Sequence, residues 1–226
     1  MNRPPVVSQE EWQTARDSLL VKEKELTHAL DALAAERRRL PMVRVRSDYR
    51  FTAPDGTDVG WDGLFAGRRQ LVVYHFMQHP GQDWLCGGCT SFTDNLSTYT
   101  QPHLEARDTR LILLSPAPRN ELEAVRQRMG WTVPWYSAYG NDLYADLGLG
   151  EGFGLSVLLR DDSSGTEEIF RTYYTTGRGV DRLRLDFNLL DLTPYGRQEE
   201  WEDSPAGWPQ DPTMSKVVSR EELANA

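Results

Sequence analysis

Cysteine is almost absent from this chain: its 226 residues hold two, Cys86 and Cys89. One close pair cannot build the disulfide framework of a small secreted domain, so a redox-active or metal-binding role is expected instead. Long apolar runs are missing as well. No stretch approaches the ~18 consecutive apolar residues of a membrane-crossing helix. The stretch from Met1 to Glu11 has no apolar segment of a secretory leader, so a cytoplasmic location is expected. Basic residues are outnumbered 25 to 34, which gives a net charge of -9. That balance argues against nucleic acid or an anionic membrane as a general partner. There is no internal repeat, P-loop, dinucleotide-binding glycine pattern, serine elbow or H-E-x-x-H. Carboxylates are plentiful, but no spacing singles out an acid/base pair.

What is present reads as a globular chain: 39% hydrophobic and 10% aromatic residues, over a length that supports a full core. Residues 8–40 predict one long helix, opened by a Ser8–Glu11 capping box and stopped by Pro41. Trp12, Leu19, Leu26, Leu33 and Leu40 recur every seven residues, while Ala15, Lys22, Ala29 and Glu36 between them are weak for a coiled coil. Two readings stay open: a helix lying on its own domain, or an arm that packs on a second copy as a homodimer. Arg37, Arg38, Arg39, Arg44, Arg46 and Arg50 form a basic cluster. It reads as a solvated face with favourable charge at a helix end, or as an anion site.

Tyr49–Thr52 and Val59–Leu64 about Pro54-Asp55-Gly56 suggest a hairpin. Leu71–Phe76 and Arg110–Leu114 read as buried strands. Phe92, Leu96, Tyr99 and His103 predict one helix between them, and Leu122, Val125 and Met129 another, ended by Gly130. Residues 155–159 and 168–173 form a predicted hairpin about the turn 161–165. A last helix carries Val180, Leu183, Phe187 and Leu190. The expected organisation is an N-terminal helical arm (1–42), a domain (43–194) and an irregular C-terminal tail (195–226).

The order strand, helix, strand, helix, hairpin, helix is that of an α/β thioredoxin-like fold, here with a long N-terminal helix and an extra hairpin. The crossover rule makes the first two core strands parallel. The cysteines then fall at the carboxyl edge of the sheet, between the first core strand and the first core helix, where α/β folds place sites. Val73-Tyr74-His75-Phe76-Met77, Asp83-Trp84, Cys86-Gly87-Gly88-Cys89 and Asp94-Asn95 carry a closer resemblance. So do His103–Asp108, Arg128–Thr132, Pro134-Trp135, Gly154–Val157 and Asp191–Pro194. Over roughly residues 10–210 the chain resembles DUF899, a bacterial family predicted to be dithiol-disulfide oxidoreductases. Two departures from better-known relatives stand out. A typical thioredoxin has a cis-proline facing its cysteine pair, where it aligns substrate and keeps metals off the thiols. The matching stretch here, Phe153-Gly154-Leu155-Ser156, has none. The peroxiredoxin threonine and proline before the nucleophile are replaced by Asp83 and His79, which argues against a standard peroxidase.

Two chemistries follow. In thiol–disulfide exchange, Cys86 at the helix N-terminus is the attacking thiolate and Cys89 the resolving thiol. That reaction requires no cofactor, and its partner is a disulfide-bearing protein or a small thiol or disulfide. Asp83 and Trp84 stand just upstream, and Trp84 reads as a shield and contact platform or as ordinary packing. Trp135, with Trp131, Tyr136 and Tyr139, lines a small apolar pocket beside the cysteines or belongs to the core. In the alternative, Cys86 and Cys89 hold copper or zinc with His75 or His79. That set resembles copper-handling thioredoxin relatives, although their cysteine spacing differs. His103, a helix away, is too distant to join it. Gly177-Arg178-Gly179 reads as a ligand arginine or as a helix-start loop.

Overall fold

A computed structural model describes residues 3–163 and 165–224. Met1 and Asn2 of the leader reading, Ser164 of the predicted turn and the last two residues of the predicted tail lie outside the described residues.

The long helix α1 (Gln9–Arg37) begins where its capping box predicts: Ser8 accepts the Glu11 N–H, and the Glu11 carboxylate accepts the Ser8 N–H at 2.9 Å. It ends three residues before Leu40, in a tightened turn where Leu40 N–H bonds Arg37 C=O. No residue of α1 is buried, and Trp12, Leu19, Leu26 and Leu33 are all exposed. The reading in which this stripe lies on its own domain is thereby corrected. The basic cluster turns instead to nearby partners. Arg44 pairs with Glu168, Arg46 with Asp48 and Asp146, and Arg50 with Asp58. Arg37 lies over the Tyr173 ring.

Short strands β1 (Val43–Val45), β2 (Phe51–Thr52) and β3 (Asp58–Val59) and helix α2 (Trp61–Phe65) lead into β4 (Gln70–His75). Then come α3 (Gly87–Asp94), α4 (Thr100–Glu105), β5 (Thr109–Ser115), α5 (Arg119–Met129), β6 (Trp135–Ser137) and α6 (Leu143–Asp146). The hairpin β7 (Gly154–Asp161) and β8 (Glu168–Thr175), a 3₁₀ segment Gly177–Leu183, α7 (Leu185–Leu190) and α8 (Arg220–Ala224) complete the chain. Among the described residues, eight strands form one sheet in the order β1-β8-β7-β4-β5-β6-β2-β3. Strands β4 and β5 are parallel, and β7 runs antiparallel to β4 and to β8. The core order β5-β4-β7-β8, with α3 and α5 after the two parallel strands and α7 after the hairpin, is the thioredoxin-like fold.

Several elements differ from the sequence reading. Of the second hairpin strand expected over Val59–Leu64 only Val59 belongs to β3, and Trp61–Leu64 fall in α2. The helix expected through His103 breaks into α3 and α4, because Pro102 has no N–H for the Thr98 carbonyl and Asn95 turns its side chain back to Ser91 C=O at 2.8 Å. The last helix breaks at Arg184, whose extended backbone (φ -93°, ψ 120°) separates the 3₁₀ segment from α7. The stretch around Trp135, for which the sequence predicts no strand, supplies β6. The tail carries a bridge between Glu199 and Asp211 and ends in α8.

Strand alternation divides the core. One face of β4 gives Leu71 and Val73 to a cluster with Phe51, Trp61, Leu64 and Ile112. The other gives Tyr74 to a cluster with Phe76, Cys89, Phe92, Leu113 and Trp135. Trp135 is central there: its ring centroid lies 4.5 Å from that of Phe76, and its Nε1–H donates to Ser115 Oγ at 3.0 Å. Replacing it with alanine is expected to cost about 3–5 kcal/mol and Trp135→Phe clearly less, as read from denaturant midpoints at constant slope.

Candidate active site

Cys86 is the N-cap of α3. Its backbone is extended (φ -64°, ψ 117°), and its Sγ accepts the Cys89 N–H at 3.5 Å. A sulfur thus takes the place that a serine or aspartate oxygen fills at most helix starts. Cys86 is half-buried, Cys89 wholly buried, and the two are unbridged. The surroundings push the thiols in opposite directions. The hydrogen bond from the Cys89 thiol, joined by the Cys89 and Gly88 N–H groups, holds Cys86 down to about 6 against the opposing effect of burial. Burial first, and the neighbouring Cys86 next, push Cys89 well up. Two donors face Cys89: the Met77 N–H at 3.5 Å and the Tyr74 hydroxyl. Tyr74 is buried and fixed by stacking on Phe92, with ring centroids 3.9 Å apart. Its own ionisation is driven up, chiefly by burial. The surroundings therefore favour the thiolate at the half-buried Cys86 and the thiol at the buried Cys89.

The expected accessory residues separate. Asp83 and Trp84 are exposed in the loop before Cys86, with Trp84 at 54%. Trp135 is packed in the cluster that holds Cys89, and Trp131 lies beside it with ring centroids 5.9 Å apart. Tyr136 belongs to the opposite cluster and Tyr139 is exposed, so the four aromatics do not line one pocket.

The histidines engage elsewhere. His75 follows Tyr74 on the strand and belongs to the other face of the sheet. Its Nε2 lies 2.8 Å from Ser156 Oγ, and its Nδ1 lies 3.4 Å from the Tyr144 hydroxyl. His79 Nε2 bonds the Glu151 carbonyl at 2.8 Å, and His103 is exposed on α4. Among the described residues, no three of His, Cys, Asp and Glu are grouped to hold a metal ion. Arg178 stacks 3.6 Å from the Trp201 ring centroid at the start of the 3₁₀ segment, which matches the loop reading.

Sequence reasoning missed Tyr74, whose signal was a single hydroxyl directly after the aliphatic run Leu71-Val72-Val73. It also missed the C-terminal tail, which reaches this site. A Cβ on Gly87 would lie 2.4 Å from Val217 O, and one on Gly88 would lie 3.8 Å from Cys86 Sγ and 3.9 Å from Met214 Cε.

Among the described residues no helix is long and apolar enough to cross a membrane. A family model described as a bacterial protein of unknown function, DUF899, matches residues 1–221. No protein of curated function matches the sequence. Similar solved structures include the peroxidoxin BcpB of Mycobacterium tuberculosis, at 12% identity and TM-score 0.45, covering 64% of this chain and 93% of that one. A cysteine-to-serine mutant of Xanthomonas campestris peroxiredoxin Q gives 15% identity and TM-score 0.35, over 55% of this chain and 69% of that one. A candidate protein disulfide isomerase from Bacteroides thetaiotaomicron gives 21% identity and TM-score 0.39, over 66% of this chain and 91% of that one.

Titrating the thiolate absorbance of the reduced protein should give a midpoint near pH 6 that disappears in Cys86→Ser. In Cys89→Ala, which removes the largest cause of the shift, the midpoint should rise by about a unit or more. His75 supplies a second pH test. Burial holds it down to about 3 from 6.5, so it stays neutral in the fold and takes a proton on unfolding. The unfolded state binds more protons in that window, so stability falls as pH drops from 6.5 towards 3, by up to about 1.4 kcal/mol per pH unit. His75→Gln should flatten that acid limb in denaturation curves taken across the range.

Proposed function

The chain belongs to the DUF899 family of bacterial proteins, and for this member we propose thiol–disulfide exchange at Cys86 and Cys89. The observation that carries this reading is the helix-capping thiol of Cys86, held down to about 6 and in hydrogen-bond contact with a buried second thiol one turn away. At neutral pH such a thiol is mostly thiolate, the form that attacks disulfides.

The Cys86 thiolate attacks one sulfur of a substrate disulfide. The substrate S–S bond breaks, one substrate thiolate leaves, and Cys86 is joined to the other half as a mixed disulfide. Cys89 then passes its proton to the released substrate thiolate and attacks Cys86 Sγ, which breaks the mixed disulfide and expels the second substrate thiolate. The protein ends with a Cys86–Cys89 disulfide, and the substrate has gained two electrons. The Tyr74 hydroxyl and the Met77 N–H both donate towards Cys89 Sγ and so favour the thiolate that this second attack needs. No cofactor enters these steps, and a cycling dithiol fits a reducing cytoplasm. Stabilising the thiolate of Cys86 favours the reduced pair, which makes the disulfide a stronger oxidant.

The copper or zinc alternative has less support. It needs a histidine turned to the sulfurs, whereas His75 and His79 direct ring nitrogens to Ser156, Tyr144 and Glu151.

Thiol trapping with mass analysis across a series of redox buffers tests the reading. The wild type should form the internal disulfide. Cys89→Ser should accumulate the mixed disulfide, and Cys86→Ser should fall to the background rate. If the wild type forms no internal disulfide even in oxidising buffer, exchange by this pair is ruled out.

A further inference from the structure

The C-terminal tail crosses the reactive turn and is tied down on both sides of the crossing. The Gly87 and Gly88 contacts put the Val217 carbonyl against the first residue of α3 and the Met214 methyl beside the same glycine that Cys86 Sγ approaches. Met214 is held in the left-handed region at φ 63°, which a residue with a side chain adopts only when its surroundings enforce it. The enforcing contacts are visible. The buried Glu199 carboxylate accepts the Met214 N–H at 3.2 Å and also takes the Trp201 Nε1–H. Val217 N–H closes the turn onto Met214 C=O at 3.0 Å. On the near side the Asp211 N–H donates to Gln198 C=O at 2.8 Å, and Arg197, next to Gln198, pairs with Asp181 and Asp191 of the domain. On the far side Arg220 pairs with Asp94 of α3 and donates to Met129 C=O at 2.7 Å. Segment 211–220 is thus a strap fastened to the helix that carries the cysteines.

We propose that this strap sets the substrate class of the site, admitting small disulfides to Cys86 and excluding the disulfides of folded proteins. This proposal rests on the exchange reading above. A disulfide in a protein brings its own backbone to within a few ångströms of the attacked sulfur, and attack must come nearly along the S–S axis. Above Gly87 that space holds the strap backbone, and beside Gly88 it holds the Met214 methyl. Upstream of the sulfur stands the exposed ring of Trp84. Cys86 stays half-buried rather than closed off, so a small unbranched disulfide can still reach it. The glycines carry the same message: a side chain at position 87 is excluded by strap backbone, not by the end of a flexible side chain.

The test measures alkylation of Cys86 in the full reduced protein with iodoacetamide and with a polymer-tagged maleimide, each normalised to free N-acetylcysteine. The wild type should disfavour the bulky reagent by at least about tenfold. Gly87→Ala, which must lift Val217, should lose most of that discrimination. Met214→Gly, which removes the side chain but suits the backbone angle, should lose part of it. In parallel, the wild type should reduce hydroxyethyl disulfide but leave insulin at background, and Gly87→Ala should gain at least about tenfold on insulin relative to the small substrate. The proposal is overturned if the wild type shows no size discrimination, or if both variants fold by circular dichroism and keep it in full. It is equally overturned if wild-type protein reduces insulin as readily as the small disulfide. Size discrimination in alkylation without turnover of either disulfide would support the strap as a barrier and overturn the exchange reading instead.

Discussion

The sulfur of Cys86 does a job usually given to oxygen: it accepts the free N–H that opens α3. The rest of the site is arranged around that one bond. Because the cap residue is at the helix start, Cys89 falls one turn later on the same face, and its own N–H is the donor. Because the helix follows β4, that face turns into the apolar cluster, so Cys89 is desolvated while Cys86 stays at the rim. One geometric constraint therefore separates two chemically identical groups. In the proposed exchange, the burial that makes Cys89 a poor nucleophile on its own would also keep it from competing with Cys86 for a disulfide. Tyr74 and Met77, fixed on the strand side, meet the buried sulfur with donors and no carboxylate.

The sheet supplies the second constraint. Adjacent strand residues face opposite ways, so Tyr74 and His75 belong to different halves of the protein although they are neighbours in sequence. Tyr74 serves the cysteines, whereas His75 closes a polar contact with Ser156 and Tyr144 under the other half. His75 sits at the register position opposite Gly154, where the Tyr174 hydroxyl would lie 2.7 Å from any added Cβ. A histidine close to the cysteines in sequence is thereby committed to joining β4, β7 and α6.

Most of the fold was legible because its signals are local. The capping box at Ser8 and Glu11, the aliphatic runs on β4 and β5, and Gly130 in the left-handed region at the end of α5 each declare themselves within a few residues. The cysteine pair at a strand-to-helix corner followed from element order alone. What was not legible depends on partners distant in sequence. Arg184 interrupts the last helix because its side chain is buried against Ser91 of α3. Strand β6 exists because β5 on one side and β2 on the other offer it hydrogen bonds. The tail looked irregular because it has little regular structure. Its order comes from carboxylate-to-backbone bonds such as Glu199 to Met214, which leave no periodic trace in sequence.

The two glycines between the cysteines have a mechanical cost. Glycine is among the poorest helix formers, so the first turn of α3 is where that helix would fray most readily. It is also where Val217 presses. The order of the reactive turn thus comes partly from a chain segment some 130 residues away. Amide hydrogen exchange in that turn would then report on the tail, and loosening the tail would release the cap, the thiolate and the helix start together.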